Sequence, residues 1–226
     1  MGQEIERKFL TCNEAWRSLG EGVLYRQGYL RSEAGHQVNV QTVVTPGRTS
    51  GFIQIISHAF PDAIEFLIPI AEAIDLLDQL CVNVRTWSAQ GVQYRSGFLS
   101  TLEGHTLRFR IAGQMGIFTV KTKTVGLSRT EFEFEIPIDQ AGQLLDQICE
   151  QPQIEKYRYK IPYAGLIWEV DDFLGLNQGL VIAEVELESE SQAVTLPDWI
   201  GDEVSGDRRY YNSYLVKNPF QTWGEK

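Results

Sequence analysis

The segment Glu4-Ile5-Glu6-Arg7-Lys8 lies near the start of the chain and has the alternating character of a β-strand. Successive side chains of a strand point to opposite faces, so Glu4, Glu6 and Lys8 share one face. Two carboxylates on one face repel each other unless a cation lies between them. The segment therefore indicates either a solvated strand edge or a divalent-metal site, and its own residues leave both interpretations open.

Composition limits the classes of function. The chain has 226 residues and a net charge of −10, which argues against general nucleic-acid binding because such binding depends on a cationic surface. No apolar run approaches the ~20 residues that span a bilayer, and no signal-peptide pattern opens the sequence. Cys12, Cys81 and Cys149 are widely spaced and lack a CxxC pair, so neither a disulfide framework nor a zinc site is indicated. We expect a cytoplasmic protein with no nucleic-acid or membrane partner.

Basic residues nevertheless cluster in one part of this acidic chain. A basic cluster inside an acidic protein is better explained by an enclosed anion site than by a basic exterior. Arg can bind phosphate oxygens bidentately and Lys acts as a point charge, so a polyanion suits the cluster. Its members are Arg108, Arg110, Lys121, Lys123, Arg129, Lys156, Arg158 and Lys160.

After residue 106, apolar residues alternate regularly with mostly charged ones, as in residues 107–111, 118–123 and 131–136. Residues 139–150 have helical spacing instead. If the charged faces of neighbouring antiparallel strands coincide, they point into the lumen of a closed barrel. The sequence predicts a mainly β (α+β) fold, an antiparallel barrel with covering helices.

An internal repeat divides the chain. Residues 22 to about 86 resemble residues 91 to about 154, beginning with Gly22-Val-Leu-Tyr-Arg-Gln-Gly-Tyr-Leu30 and Gly91-Val-Gln-Tyr-Arg-Ser-Gly-Phe-Leu99. Apolar positions survive in both copies, whereas the charged face survives in the later one. The sequence therefore predicts that the later copy carries the chemistry and the earlier one is scaffold. The replaced charges include Arg108 and Arg110, which correspond to Asn39 and Gln41, and Lys121, which corresponds to Ile56.

These motifs together resemble the CYTH superfamily, the triphosphate tunnel metalloenzymes. Glu4-Ile-Glu-Arg-Lys8 matches the family's E-x-E-x-K signature, and the later runs follow in the family's order. The resemblance implies an eight-stranded antiparallel tunnel, one domain over residues 1–226, that binds triphosphate compounds. The matching later runs are Leu107–Arg110, Thr119–Lys123, Arg129–Glu135, Glu155–Arg158, Trp168–Asp171 and Ala183–Glu188.

The resemblance also implies a set of site residues. Carboxylates would hold Mg²⁺ or Mn²⁺, hard cations that bridge phosphate oxygens. The metal ligands would be Glu4, Glu6, Asp171, Glu184 and Glu186. The phosphate ligands would be Lys8, Arg108, Arg110, Lys121, Lys123, Lys156, Arg158 and Arg208. The catalytic groups would be Lys8, near the scissile bond, with Glu131 and Glu133 to orient or deprotonate the attacking water.

The function expected from this resemblance is metal-dependent hydrolysis of inorganic triphosphate by a monomer or a homodimer. Several alternatives stay open. The chain could bind triphosphate or polyphosphate without cleaving it, if the repeat has altered the tunnel. It could instead be a thiamine or nucleoside triphosphatase, or a class IV adenylate cyclase-like enzyme.

The repeat itself departs from the family pattern. It inserts a degenerate copy of about four strands and one helix, with boundaries that read equally well as residues 22–90 or 31–99. The copy could form a side subdomain, widen the barrel or pack against another chain, and the fixed strand number of a closed barrel favours the side subdomain. If it forms an interaction surface, the apolar residues Ile53, Ile55, Ile56 and Phe60 are the candidates.

Overall fold

The structure, a computed structural model, describes residues 2–30, 36–99, 105–123, 125 and 128–224, with the backbone alone at residues 2–4, 97 and 98. The strands are β1 Gly2–Thr11, β2 Gly22–Tyr29, β3 His36–Thr45, β4 Arg48–Ser57, β5 Ile64–Ile68, β6 Cys81–Ala89, β7 Val92–Leu99, β8 Thr106–Ala112, β9 Met115–Lys121, β10 Ser128–Ile136, β11 Ile154–Tyr163, β12 Leu166–Phe173, β13 Val181–Glu186 and β14 Ile200–Glu203. The helices are α1 Ile70–Gln79, α2 Ile138–Ile148 and α3 Asn212–Lys217, with short 3-10 helices at Ala15–Ser18, Gly175–Asn177, Arg208–Tyr210 and Phe220–Thr222.

Eight strands close into an antiparallel barrel in the order β10-β9-β8-β2-β11-β12-β13-β1. Strand β1 makes the closure, because its residues 2–5 pair with β10 and its residues 6–10 pair with β13. Strand β14 extends the sheet beyond the barrel by pairing with the end of β1. The predicted eight-stranded antiparallel barrel is confirmed. No helix in the described part of the chain is long and apolar enough to cross a membrane.

The barrel wall has its apolar side outside and its charged side inside. On β8, Phe109 is fully buried beneath α2, while its neighbours Arg108 and Arg110 face the lumen. Alternation along each strand produces this separation, because adjacent side chains take opposite faces. The hydrophobic core therefore lies between the wall and its covering helices, which leaves the lumen free for polar groups.

A second sheet contains the strands of residues 36–99, in the order β5-β4-β3-β7-β6, with α1 packed against one face. None of these five strands joins the barrel, whereas β2 pairs with β8 and β11 inside it. The segment outside the barrel, in the described part of the chain, thus runs over residues 36–99, and the boundaries of the inserted copy stay a prediction. The segment holds five strands and one helix, one strand more than the sequence indicated.

The second sheet repeats the strand order of the β10-β9-β8-β2-β11 half of the barrel, with β7 at the place of β2. The registers agree as well. The duplication itself stays a prediction from the sequence. In the barrel Gln27 lies opposite Arg110 and Ile154, and in the second sheet its counterpart Ser96 lies opposite Gln41 and Arg85.

Each covering helix approaches its sheet over a glycine. A Cβ added at Gly51 of β4 would lie 2.6 Å from the Ala73 methyl of α1, and one at Gly116 of β9 would lie 2.9 Å from the Ala141 methyl of α2. Real Cβ atoms do not approach so closely. These glycines set how near each helix packs to its sheet.

The expected apolar interaction surface is wrong in most of its residues. Ile53 and Ile55 are fully buried under α1, and Phe60 is 7% exposed in the same core. They point towards the helix because they share the inner face of β4, whereas Ile56 takes the opposite face and is 42% exposed. Buried residues from the second sheet and from β8, β9 and β10 of the barrel form one continuous hydrophobic cluster that includes α1 and α2.

Candidate active site

The barrel lumen contains a cavity of about 460 Å³ with a mostly charged lining. Both bases and acids line it, because every strand of the barrel wall turns polar positions inward. A low-dielectric wall strengthens the interactions of charges placed in such a space. The lining consists of Glu6, Lys8, Tyr25, Gln27, Arg108, Arg110, Lys121, Arg129, Glu131, Glu133, Lys156, Arg158, Lys160, Glu169, Glu184, Glu186 and Asn212.

One wall of the lumen presents Arg108, Arg110 and Lys121 from β8 and β9. Glu131 lies 2.7 Å from the Lys121 ammonium and 3.3 Å from Arg108, and Glu133 lies 2.9 Å from Arg110. The Nε atoms of both arginines are buried and find no hydrogen-bond partner in the described part of the chain. A buried donor without an acceptor is costly. This wall therefore suits an anion that accepts those hydrogen bonds.

The surroundings of Arg110 disfavour its positive charge. Burial lowers the pKa of Arg110 to about 10, with the neighbouring Arg108 contributing in the same direction. Repulsion between adjacent guanidinium groups falls when an anion lies between them. A bound polyanion would therefore stabilise the charged form of Arg110.

The wall on the other side of β2 is a network built around Asp171 of β12, which is fully buried. Asp171 accepts hydrogen bonds from Lys156 and, at 2.6 Å to each oxygen, from Arg158. Arg158 also contacts Glu169 and donates to Glu184 at 2.8 Å. Burial lowers the pKa of Lys156 to about 8, with the positive charge of Arg158 adding to the effect. Asp171 thus holds two cations that line the cavity.

Carboxylates face each other across β1, β13 and β12. Glu6 lies directly opposite Glu186, and Glu169 lies directly opposite Glu184. Lys8 stands beside them, with its ammonium 3.0 Å from Glu6 and in contact with Glu184. Burial works against the charge of Lys8, but Glu184 and Glu6 outweigh it and raise the pKa of this lysine. Burial likewise opposes the charge of Glu184, yet Lys8 and Arg158 lower its pKa well below the ordinary value.

The acidic pairs provide the donor chemistry that a divalent cation needs. Mg²⁺ and Mn²⁺ prefer oxygen ligands, and the facing carboxylates of Glu6 and Glu186 supply them. Among the described residues no group of three or more acidic, histidine or cysteine side chains is assembled as a metal centre. The side chain of Glu4 lies outside the described part, although its backbone pairs with Arg129. Glu6 and Glu186 thus offer oxygen donors suited to a divalent cation, and Glu4 is the further ligand that the sequence predicts.

The predicted site residues separate into those the structure brings to the cavity and those it does not. Lys123 follows the end of β9 and is exposed, and Arg208 is exposed in the 3-10 helix Arg208–Tyr210, so neither lines the cavity. Asp171 reaches the lumen wall, but its two oxygens are bonded to Lys156 and Arg158. The residues brought to the cavity are Glu6, Lys8, Arg108, Arg110, Lys121, Glu131, Glu133, Lys156, Arg158, Glu184 and Glu186.

Several lining residues were not chosen from the sequence. The ring of Tyr25 has the guanidinium carbons of Arg110 and Arg158 at 5.6 Å and 5.5 Å from its centroid, so it packs beneath both walls. Asn212, the first residue of α3, lines the main cavity and an adjoining one of about 60 Å³, and its Oδ1 is buried without a partner in the described part of the chain. The sequence argument selected charged residues that differ between the two copies. It therefore passed over Tyr25, which recurs as Tyr94, and Asn212, which carries no charge.

The structure is a closed β-barrel with paired acids and clustered bases in its lumen. This combination defines a class of protein that encloses a polyanion together with cations. The model of the CYTH domain family matches residues 64–211, more than half of the chain. The chain belongs to the CYTH domain family.

Two named proteins are similar to this chain in sequence. The chain is 50% identical over 137 residues to a protein of Acetivibrio thermocellus named inorganic triphosphatase, an alignment that covers 61% of this chain and 88% of that protein. It is 39% identical over 130 residues to a protein of Nitrosomonas europaea with the same name, covering 55% and 84%. Two solved structures are also similar, one described as hypothetical protein NE1496 and one as inorganic triphosphatase NE1496. The first is 25% identical and the alignment covers 94% of this chain and 97% of that chain, with a TM-score of 0.48. The second is 24% identical and the alignment covers 94% and 96%, also with a TM-score of 0.48.

Proposed function

We propose that this protein hydrolyses inorganic triphosphate with the help of a divalent metal ion inside the barrel lumen. The observation that carries the proposal is the juxtaposition of unpartnered arginine donors at Arg108 and Arg110 with the facing carboxylates of Glu6 and Glu186. The first group suits phosphate oxygens and the second suits the accompanying cation. The two relatives named inorganic triphosphatase support the same substrate class.

The bases bind the triphosphate from two sides in this proposal. Arg108, Arg110 and Lys121 project from one wall, and Lys156 and Arg158 project from the other. Their acidic partners keep the cations oriented before the substrate arrives, so little reorganisation is needed on binding. Lys123 and Arg208, which lie away from the cavity lining, take no part in this arrangement.

The metal ion belongs with the carboxylates of β1 and β13. Glu6 and Glu186 would hold it, together with Glu4 as the sequence predicts. Both oxygens of Glu184, like those of Asp171, are bonded to buried bases, here Lys8 and Arg158. When bound, the metal ion supplies positive charge that offsets the charge of the phosphate oxygens during transfer. Asp171 is reserved for Lys156 and Arg158 in this proposal, because breaking that buried network to free a ligand is costly.

The reaction proposed is an in-line attack of water on a terminal phosphorus. The new bond joins the water oxygen to that phosphorus, and the bond to the bridging oxygen breaks to give phosphate and diphosphate. Lys8, held between Glu6 and Glu184, places a fixed positive charge beside the reacting phosphate. Glu131 and Glu133 orient Arg108, Arg110 and Lys121, and Glu133 can also accept a hydrogen bond from the attacking water.

Phosphate release from tripolyphosphate tests the function directly. We expect turnover with Mg²⁺ or Mn²⁺ and, because carboxylates alone cannot offset the substrate charge, loss of at least about 100-fold in rate after removal of the metal with EDTA. Re-addition of metal should restore the rate. Thiamine triphosphate, ATP and diphosphate serve as comparison substrates.

Three results would contradict this function in whole or in part. Turnover that survives EDTA removes the metal from the proposal. Tight calorimetric binding of tripolyphosphate without phosphate release under either metal would instead establish a binding protein. Faster hydrolysis of ATP or thiamine triphosphate than of tripolyphosphate would keep the reaction type but overturn the proposed substrate.

The lowered pKa of Lys156 predicts a pH dependence of substrate binding. Its folded pKa of about 8 lies below the ordinary value of 10.5, so this lysine loses its charge as pH rises through 8. A bound polyanion favours the protonated form. The dissociation constant of tripolyphosphate is therefore expected to rise by up to about tenfold per pH unit above pH 8.

The measurement is calorimetric titration between pH 7 and pH 10, about the range over which this group titrates. Lys156→Met is the matched control, because it has a similar length without the titrating group. Wild type and Lys156→Met share the titration of the ligand, so only the difference between them reports on Lys156. Parallel pH curves for the two proteins would show that another group is responsible.

A further inference from the structure

The second sheet exposes the face opposite α1, here called the outer face. Its side chains are those that point away from the core on β3 to β7, as the strand registers place them. Apolar residues stand open on it: Leu67 is 64% exposed, and Ile56 and Trp87 are each 42% exposed. Trp87 stacks on Tyr94 with ring centroids 5.3 Å apart and the planes 8° from parallel. The strand registers place Phe52 beside Leu67, and Val43 beside Tyr94, so these residues and Trp87 form an apolar stripe across the five strands, while Ile56 lies apart. A contiguous apolar surface of this kind is typical of an interaction site.

This face differs from its barrel counterpart in charge. The equivalent side of β8 and β9 carries Arg108, Arg110 and Lys121 in the lumen, whereas their counterparts Asn39, Gln41 and Ile56 are neutral. Charged side chains stand only at the margins of the described outer face: Arg48 at the β3–β4 hairpin, Glu65 on β5 and Arg85 on β6. Two copies of a chain with a net charge of −10 repel each other over most of their surfaces. The neutral interior of this face is where they can approach.

The sheet is also incomplete in comparison with the barrel. Strands β10 and β11 each have a further neighbour in the barrel, β1 and β12, but their counterparts β5 and β6 are edge strands. An exposed edge beside an apolar face favours pairing with another chain. Five strands at ~4.8 Å spacing and about eight residues in length give a face of roughly 24 by 26 Å. A face of this size approaches the ~800 Å² that each partner contributes to a standard stable interface.

We propose that this protein forms a homodimer in which the outer faces of two second sheets pack against each other about a two-fold axis parallel to the strands. This axis places β5 of one protomer over β6 of its partner, so Glu65 faces the opposite charge of Arg85 twice in the dimer. The two residues are offset by two positions in register, about 7 Å along the strands, a distance that the arginine side chain spans. Aligned packing of two twisted sheets is a standard arrangement.

Sedimentation equilibrium over a range of protein concentrations tests the dimer. We expect a mass of twice the 25.7 kDa chain at high concentration. Glu65→Arg and Arg85→Glu should each raise the dimer dissociation constant at least about tenfold, because each places like charges together at two symmetric contacts. The double variant Glu65→Arg/Arg85→Glu should restore wild-type dissociation.

Matched controls change the net charge equally away from this face. Glu21→Arg lies before β2 and Lys217→Glu lies at the end of α3, and both are exposed. Neither should change the dissociation constant by more than about twofold. Circular dichroism checks that every variant is folded, and none of the changed residues touches the proposed catalytic site.

Three results would overturn this proposal. The first is a monomeric mass throughout the concentration range, which would leave the outer face to a different partner. The second is a dimer that neither charge reversal weakens. The third is a failure of the double variant to recover dimerisation. The mass measurement does not depend on catalysis, so its outcome is separate from that of the phosphate-release assay.

Discussion

Replacement of Lys8 by alanine is expected to lower kcat/KM for tripolyphosphate by about 100- to 1,000-fold. Lys8 is 6% exposed and its ammonium lies between Glu6 and Glu184 at the acidic wall of the lumen. Its removal deletes a fixed positive charge beside the proposed reacting phosphate. It also leaves two neighbouring carboxylates without the cation that separates them.

The same assay distinguishes a local effect from a general one. Lys217→Ala removes an exposed lysine that pairs with Glu150 outside the lumen, and its rate should stay within about twofold of wild type. Lys8→Arg keeps the charge but not the shape, so we expect partial activity. A Lys8→Ala variant that keeps wild-type kcat/KM would exclude Lys8 from the reaction.

Replacement of Asp171 by alanine is expected to lower the free energy of unfolding by about 3–5 kcal/mol. Asp171 is fully buried and accepts hydrogen bonds from Lys156 and Arg158, both of which are also buried. Without the carboxylate, two cations remain in a low-dielectric wall with less compensation. Urea denaturation monitored by tryptophan fluorescence measures the loss.

The adjacent residue provides the control for this experiment. Asp172 pairs with Arg17 at 2.6 Å on a more exposed part of the wall, and Asp172→Ala should cost less than about 1 kcal/mol. The double variant Asp171→Leu/Lys156→Met removes one buried charge of each sign and should recover part of the lost stability. Equal losses for Asp171→Ala and Asp172→Ala would contradict the importance of the buried network.

The sequence predicted the barrel because its strands alternate strictly. Leu107, Phe109, Phe118 and Val120 form one buried face, and their charged neighbours form the other. The comparison of the two copies then identified Arg108, Arg110 and Lys121 as chemical rather than structural positions. Alternation fixes which face a side chain takes, so these residues reach the lumen as expected.

The same comparison could not find residues that both copies share or that carry no charge. Tyr25 recurs as Tyr94, yet in the barrel it packs beneath two arginines and in the second sheet it stacks on Trp87. Lys123 and Arg208 were chosen by motif, but Lys123 lies past the end of β9 and Arg208 begins a 3-10 helix, so strand alternation sets the direction of neither side chain. The roles of these positions depend on tertiary contacts that no local pattern records.

The pairing of β11 with β12 made Asp171 difficult to interpret from sequence alone. Its position in Trp168–Asp171 groups it with the acidic strands, and the motif alone favours metal binding. In the structure, the register between β11 and β12 places Arg158 directly opposite Asp171. Cross-strand neighbours interact most strongly, which is why this carboxylate pairs with bases.

The continuous buried cluster beneath α1 and α2 has a consequence for how the molecule unfolds. Apolar residues from both sheets contribute to it, including Val40 and Ile53 from one and Phe109 and Phe118 from the other. Cooperative units follow shared cores rather than sheet boundaries. The barrel and the second sheet should therefore melt in one transition, so heat or denaturant that loosens the second sheet also disorders the strands that carry Arg108 and Lys121.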